Sequence, residues 1–182
     1  MLTKFKLKEM KHNTRVKSGY SNVQVVALTI LRVLIGWHFL YEGLVKIYTP
    51  GWTAKSYLLA SVGPFSSVFK ALAESASVLQ IADFLNVWGL ILIGLSLFVG
   101  LFSRLSNWFG IALLAFYYLS YPPFADLATS GYVEGNYWIV NRNLIEMAAL
   151  FVLVMFPSSH ITGLDRFIFP DQEKDKLVSN PH

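Results

Sequence analysis

Long apolar runs alternate with polar segments along this chain of 182 residues. A run of about 20 apolar residues is long enough to cross a lipid bilayer as a helix. We assign four runs to this class: Val23–Tyr48, Phe84–Phe102, Asn107–Leu119 and Trp138–Phe156. Pro50, Pro122 and Pro157 follow three of them, and proline favours the end of a helix because it lacks a backbone donor. The pattern predicts an all-α fold, an integral membrane four-helix bundle.

The loop between the first two runs has an apolar pattern of its own. Five apolar residues recur there at helical spacing, with polar residues between them: Phe65, Val68, Phe69, Leu72 and Leu79. This spacing predicts an amphipathic helix that lies on the outer end of the bundle or in the membrane interface. The helix either packs as a lid or controls the access of a substrate, and the sequence leaves both interpretations open.

Composition and charge favour a membrane location. Hydrophobic residues make up 54% of the chain and charged residues 14%, whereas about a quarter of a typical soluble domain is charged. Lysine and arginine concentrate in the N-terminal segment and recur in the short loop at Arg104, and such residues favour the cytoplasmic side. We therefore expect four spans in a bacterial-type cytoplasmic (inner) membrane, with both termini cytoplasmic and the two longer loops external.

This topology divides the chain into three parts. We expect a basic cytoplasmic segment at 1–21, a four-helix membrane domain at 22–168 and a polar cytoplasmic tail at 169–182. The basic segment is expected to contact membrane lipid and no nucleic acid, because no soluble domain follows it. The apolar run after it is too long for a signal peptide. Cysteine is absent from the chain, which excludes disulfides and thiol redox chemistry within it.

Ionisable residues lie on one side of the first predicted helix. His38, Glu42 and Lys46 are four residues apart, so they fall within an arc of about 80°. A charged side chain that faces lipid costs about 3 kcal/mol, so this side must face the other helices. Gly36 and Gly43 lie on the same half and permit a neighbouring helix to approach closely. Arg32 lies deeper and away from the others, and we expect a structural role for it.

A second polar cluster lies in the fourth run, and consists of Asn141, Arg142, Asn143 and Glu146. Arg142 and Glu146 are four residues apart and can pair. Both clusters fall in the outer halves of their helices, which predicts one shared polar pocket that opens toward the external face. The clusters either hold the helices together or form a ligand or redox site, and the sequence allows both roles.

Three segments resemble the motifs of the DoxX/DoxD family. The residues Arg32-Val-Leu-Ile-Gly-Trp-His-Phe-Leu-Tyr-Glu-Gly-Leu-Val-Lys46 are similar to its first-helix signature, and Tyr137–Glu146 to its fourth. Pro157 and Gly163–Arg166 look like its closing motif. The resemblance covers 22–168 and is greatest to the DoxD type, the thiosulfate:quinone oxidoreductase branch. It implies a four-helix membrane protein and, for some members, a subunit that passes electrons from thiosulfate to a quinone.

The resemblance and the polar pocket together lead us to expect a membrane subunit of a quinone-linked oxidoreductase. His38 donates a hydrogen bond and moves a proton, since its ordinary pKa is about 6.5. Glu42 relays the proton, and Lys46 stabilises negative charge. Quinone binding is assigned to the second cluster and one aromatic residue: Arg142, Asn143, Glu146, Asn141 and Trp52. Trp37 and Trp138 are further candidate ring neighbours or, alternatively, interface anchors. No Gly-rich flavin motif is present, so a partner redox subunit is expected to supply electrons.

Other functions remain open at this point. Haem is one alternative cofactor, held by His38 alone or between the protomers of a homo-oligomer, because His160 is expected on the opposite side of the membrane. A non-enzymatic membrane anchor or scaffold subunit of a multi-protein complex is the main alternative function. A small transporter ranks below it, since no inverted repeat or broken helix is evident. No metal site is predicted.

Overall fold

The computed structural model describes residues 20–124 and 135–168, and this part of the chain is mostly helical. The elements in chain order are α1 (Asn22–Tyr48), α2 (Lys55–Leu59), α3 (Ser66–Glu74), α4 (Ala76–Val99), α5 (Ser103–Ser120), β1 (Asn136–Tyr137), β2 (Val140–Asn141), α6 (Arg142–Met155), α7 (Ser159–Thr162) and α8 (Asp165–Ile168). Most of the predicted N-terminal segment, the predicted tail and residues 125–134 of the second long loop lie outside the described residues.

Helix α1 matches its predicted run to within one residue. It has 27 residues, or about 40 Å at 1.5 Å per residue. A capping box begins it: the Ser21 hydroxyl accepts from the Gln24 backbone, and the Gln24 side chain accepts from the Ser21 backbone. Helices α1 and α4 are both long and apolar enough to cross a membrane, with mean hydropathies of 1.8 and 1.9.

The second and third helices begin earlier than predicted. Helix α4 starts at Ala76, because Ser75 is extended and separates it from α3. Leu79 therefore belongs to α4 and not to the loop helix, which is α3 alone. Residues 103–106 were predicted as a turn, but they form the first turn of α5. The chain reverses instead at Gly100 and Phe102, which adopt left-handed conformations with φ of 73° and 50°.

The fourth helix is shorter than predicted. It begins at Arg142, and the predicted first residues of the span lie in a hairpin between β1 and β2. Trp138 stands in the turn of that hairpin with φ of 59°. The Asn141 side chain accepts a hydrogen bond from the Leu144 backbone at 3.1 Å and so caps the helix. Sequence hydropathy missed this start because the residues before it are apolar but not helical.

Helices α1, α4, α5 and α6 share one buried apolar core. It consists of Ile35, Phe39, Leu90, Ile93, Leu97, Leu114, Leu150 and Leu153. Helix α1 packs most extensively on α4, and α5 on α6. A Cβ added at Gly36 would lie 2.6 Å from the backbone nitrogen of Phe98, and one at Gly43 would lie 2.6 Å from the Ile91 side chain. The predicted close approach at both glycines is confirmed.

At one end of this core, the segment after α6 closes over the turn between α4 and α5. Asp165 is 2% exposed, and its two oxygens accept hydrogen bonds from the Phe102 and Ser103 backbones at 2.6 and 3.2 Å. Arg32 is buried beside Gly100 and Gly163, so its surroundings fit the expected structural role. We call Arg32, 99–103 and 158–165 the turn end.

Candidate functional site

Two adjoining chambers lie at the other end of the core, which we call the cavity end. The inner chamber has a volume of about 50 Å³ and is lined by His38, Phe39, Glu42, Lys46, Leu90, Leu114, Tyr117, Arg142, Asn143 and Glu146. The outer chamber has a volume of about 370 Å³ and is lined by Lys46, Trp52, Thr53, Ala54, Tyr57, Asn86, Tyr117, Tyr121, Arg142 and Asn143. Four residues line both chambers, and they form the boundary between them: Lys46, Tyr117, Arg142 and Asn143.

A hydrogen bond joins the two polar clusters inside the inner chamber. The Nδ1 atom of His38 on α1 lies 2.7 Å from the Oε1 atom of Glu146 on α6. Glu146 is 8% exposed, and its other oxygen is buried without a hydrogen-bond partner in the described part of the chain. The two clusters that the sequence placed at similar depth therefore meet at a paired acid and base, with one carboxylate oxygen left over.

The ionisable residues on one side of α1 extend from this pair toward the outer chamber. Glu42 has one oxygen 3.9 Å from His38 Nε2 and the other 3.7 Å from Lys46 Nζ. Both distances are longer than a direct hydrogen bond, so these contacts are mainly electrostatic. Lys46 Nζ also lies 5.4 Å from the centre of the Trp52 ring, a cation–π distance. A row of predicted residues thus runs from the inner chamber to the outer one: His38, Glu42, Lys46 and Trp52.

The second cluster divides into residues that line the chambers and one that does not. Arg142 and Asn143 line both chambers, as expected for binding residues. The pair that the spacing allows between Arg142 and Glu146 is not formed: Glu146 bonds His38 instead, and no described carboxylate lies within 4.0 Å of Arg142. Asn141 lines neither chamber, because its side chain is engaged in the α6 cap.

Sequence reasoning missed the aromatic and amide wall of the outer chamber. The Asn86 amide nitrogen donates to the Tyr117 hydroxyl at 2.6 Å, which joins α4 to α5. The Tyr57 hydroxyl donates to the Tyr117 carbonyl at 3.2 Å, and its ring lies 6.2 Å from that of Tyr121. Burial raises the pKa of Tyr57, so it stays a neutral donor. Asn86 could have been found from the sequence, since it places a polar amide within the predicted apolar run Phe84–Phe102.

The candidate tryptophans differ in position. Trp52 lines the outer chamber, whereas Trp37 is 52% exposed and packs against the rings of Tyr41 and Phe98. Trp138 is 68% exposed at the tip of the hairpin. Of these three side chains, Trp52 is therefore the one placed to contact a ligand in the outer chamber.

The histidines considered for haem lie at opposite ends of the core. His160 belongs to α7, and nearby Thr162 bonds Thr29 near the start of α1 at 2.8 Å. His38 lies at the cavity end, where Glu146 engages its Nδ1 atom. Within residues 20–124 and 135–168, no group of three or more His, Asp or Glu side chains is arranged to hold a metal ion.

The arrangement can bind a ligand and exchange protons with it. The outer chamber offers aromatic faces, two cations and amide groups, and the inner chamber holds a partly buried acid–base pair. Comparison of the chain with protein-family models finds no match, and comparisons with curated proteins and with solved structures find no significant match. The resemblance to the DoxX/DoxD family therefore stays a prediction from its motif residues.

Proposed function

We propose that the chain is an integral membrane subunit of a quinone-linked oxidoreductase that binds the quinone ring in the outer chamber. The observation that carries this proposal is the hydrogen-bonded His38–Glu146 pair beneath an aromatic chamber. A quinone accepts hydrogen bonds at two carbonyls and gains two electrons and two protons when it becomes a quinol. A partly buried acid–base pair next to an aromatic pocket supplies the hydrogen bonds and protons that such a ligand needs.

The exposed surface of the core helices supports a membrane location. Large apolar side chains project outward from all four: Ile30, Leu34 and Trp37 from α1, Phe84, Leu85 and Leu92 from α4, Leu105, Phe109 and Phe116 from α5, and Ile145, Phe151 and Met155 from α6. Arg32, Glu146 and Asp165 are buried instead. Soluble proteins rarely expose apolar surface of this extent, and lipid would cover it.

We further propose that all four core helices span the membrane. Helix α5 has 18 residues and extends about 27 Å, close to the hydrocarbon thickness of a bilayer. Helix α6 has 14 residues, or about 21 Å, and the hairpin before it would lie in the outer interface. The basic N-terminal segment then sets the turn end toward the cytoplasm and the cavity end toward the external face.

Chamber size determines where a quinone ring fits. An apolar cavity of roughly 150 Å³ accommodates benzene. The inner chamber, at about 50 Å³, is too small for a ring and suits a few water molecules. The outer chamber, at about 370 Å³, accommodates a substituted ring between Trp52, Tyr57 and Tyr121.

The residues around the chambers have separate roles in this proposal. His38 and Glu146 hold a proton between Nδ1 and Oε1, and Glu42 passes protons toward the outer chamber. Lys46 and Arg142 place positive charge where negative charge develops on the ligand oxygens. When bound, the quinone accepts the electrons, which come from a partner redox subunit. The DoxD resemblance suggests thiosulfate as the reductant for that partner.

Solvent extraction of the purified protein followed by mass spectrometry tests the proposal. We expect near-stoichiometric quinone in the wild type and in His160→Ala, a histidine substitution away from the chambers. We expect at least a tenfold loss in His38→Ala, which removes the partner of Glu146, and in Glu146→Gln, which removes the negative charge of the pair. Equal quinone in all four proteins would contradict the site assignment.

A membrane anchor or scaffold subunit is the alternative function. The observation that favours it is that the His38–Glu146 bond joins α1 to α6 and so also serves to hold the helices together. Absence of quinone from the wild-type protein, together with failure of an added quinone analogue to bind it, would favour this function. The polar groups would then stabilise the fold of a subunit whose partners carry out the chemistry.

A further inference from the structure

Tyr117 occupies the boundary between the two chambers. Its side chain lines both of them, and its hydroxyl lies 2.6 Å from the Asn86 amide nitrogen. Asn86 is the one hydrogen-bond partner that the described residues give this hydroxyl. A phenol has one donor and two acceptor positions, so capacity remains for a ligand.

The amide that holds Tyr117 can present either of two groups to it. Asn86 Oδ1 is buried and has no hydrogen-bond partner among the described residues, and the amide nitrogen makes no other bond there. Nitrogen and oxygen of an amide have almost the same shape. Rotation of the amide by half a turn therefore exchanges its donor for its acceptor without breaking a bond to a third group.

Each amide orientation gives the Tyr117 hydroxyl a different role. When the amide nitrogen donates to the hydroxyl, the phenolic hydrogen points away and is free to donate to a ligand carbonyl. When the amide oxygen accepts from the hydroxyl, the phenolic lone pairs are free to accept from a ligand hydroxyl. The cations Lys46 and Arg142 only donate, so they cannot serve the second case.

We propose that Asn86 and Tyr117 form a reversible hydrogen-bond switch that lets the outer chamber hold both a quinone and its quinol. This inference rests on the proposed function. Tyr117 contacts the ligand oxygen: it donates to the quinone carbonyl and accepts from the quinol hydroxyl. Asn86 is a positioning residue that turns its amide to match. Both the quinone and the quinol then keep a hydrogen bond to Tyr117 in the outer chamber.

Binding measurements on both redox forms test the switch. The probes are a benzoquinone with a short alkyl chain and its quinol, titrated by calorimetry into full-length protein in detergent. Tyr117→Phe is expected to weaken both forms by about 3- to 10-fold, the value of one hydrogen bond. Asn86→Asp supplies a carboxylate that accepts the Tyr117 proton, so we expect the ratio of quinol to quinone affinity to rise by about 10-fold.

A neighbouring tyrosine provides the matched control. The Tyr118 hydroxyl donates to the Ile139 carbonyl at 2.9 Å and lines neither chamber, so Tyr118→Phe should bind both forms as the wild type does. If Asn86→Asp does not fold, Asn86→Leu serves instead. It leaves the Tyr117 hydroxyl without its partner, and both affinities should fall by about 2- to 5-fold.

The outcomes separate this inference from the proposed function. Wild-type binding of both forms with unchanged affinity in Tyr117→Phe would overturn the switch and leave quinone binding standing. An unchanged affinity ratio in Asn86→Asp would overturn the positioning role of the amide. If the wild-type protein binds neither form, the proposed function itself fails, and the switch fails with it.

Discussion

The two ends of the helical core both bury charged side chains, but they surround them differently. At the turn end, Asp165 has both oxygens bonded to backbone amides, and Arg32 lies against Gly100 and Gly163. At the cavity end, Glu146 has one oxygen bonded to His38 and the other without a partner, beside an open chamber. At the first end protein atoms crowd Gly100 and Gly163, whereas the second end borders a chamber.

Unpartnered polar atoms alone do not distinguish the two ends. The turn end also contains buried polar atoms without hydrogen-bond partners, namely Arg32 Nε and Nη1, His160 Nδ1 and the hydroxyls of Ser103, Ser158 and Ser159. Neither chamber reaches these groups. A binding site requires both spare hydrogen-bonding capacity and room for a ligand, and between these two ends the cavity end has both.

The largest effect is expected from breaking the turn end at Asp165. Asp165→Ala removes the acceptor of two backbone amides and a carboxylate that interacts electrostatically with the buried Arg32. We expect the free energy of unfolding to fall by about 3 kcal/mol or more, because two backbone amides lose a buried, charged acceptor. Unfolding followed by circular dichroism in detergent measures this change.

The neighbouring residue supplies the control for that experiment. Arg166 is exposed, so Arg166→Ala should change the free energy of unfolding by less than about 0.5 kcal/mol. A loss in Asp165→Ala no greater than in Arg166→Ala would show that the turn end is not held together by its buried carboxylate. The contrast between the two ends would then lose its basis.

An intermediate effect is expected where α1 crosses α4, between the two ends. A Cβ added at Gly94 would lie 2.7 Å from Leu40 Cα and 2.8 Å from the Gly36 carbonyl oxygen, and backbone atoms cannot move away easily. We expect Gly94→Ala to lower the free energy of unfolding by about 1–3 kcal/mol through overpacking. The same unfolding assay measures it.

Gly89 on the same helix makes a stringent control, because a Cβ there would meet nothing within 4 Å. Gly89→Ala should raise stability by up to about 1 kcal/mol, since alanine favours a helix more than glycine. Stabilisation by both substitutions would mean that α1 and α4 are not in close contact. A close crossing of α1 and α4 would then not separate the turn end from the cavity end.

Sequence reasoning predicted which charged residues line the candidate site, because an ionisable residue in an apolar run has few acceptable orientations. The four-residue spacing of His38, Glu42 and Lys46 predicted their shared face. The similar depth of the two polar clusters predicted that these residues lie near Glu146. It could not identify Tyr117, because a tyrosine in an apolar run equally suits an interface or a core. Its role depends on contact with Asn86, which is far away in the sequence.

The helix boundaries likewise could be predicted only where they depend on local sequence. The start of α1 was predictable because the apolar run begins where the helix does. Helix α6 was not, since Trp138 and the residues after it are apolar yet lie in a hairpin stabilised by long-range contacts. The Asp165 bonds across the α4–α5 turn were equally inaccessible, because nothing local in the sequence pairs Asp165 with Phe102.

The smallest effect on stability is expected at the cavity end, from Lys46→Gln. Lys46 contacts Glu42 at 3.7 Å and the Trp52 ring at 5.4 Å, and two partly exposed contacts of this kind together contribute about 1 kcal/mol or less. We expect a loss of free energy of unfolding below about 1 kcal/mol, because the chamber beside Lys46 admits water. Lys70→Gln on the exposed side of α3 should change the free energy of unfolding less still.

A loss above about 2 kcal/mol in Lys46→Gln would show that Lys46, like Asp165, stabilises the fold through buried contacts. In that event the cavity end would resemble the turn end energetically, and the anchor function would account for its charges better than ligand binding does.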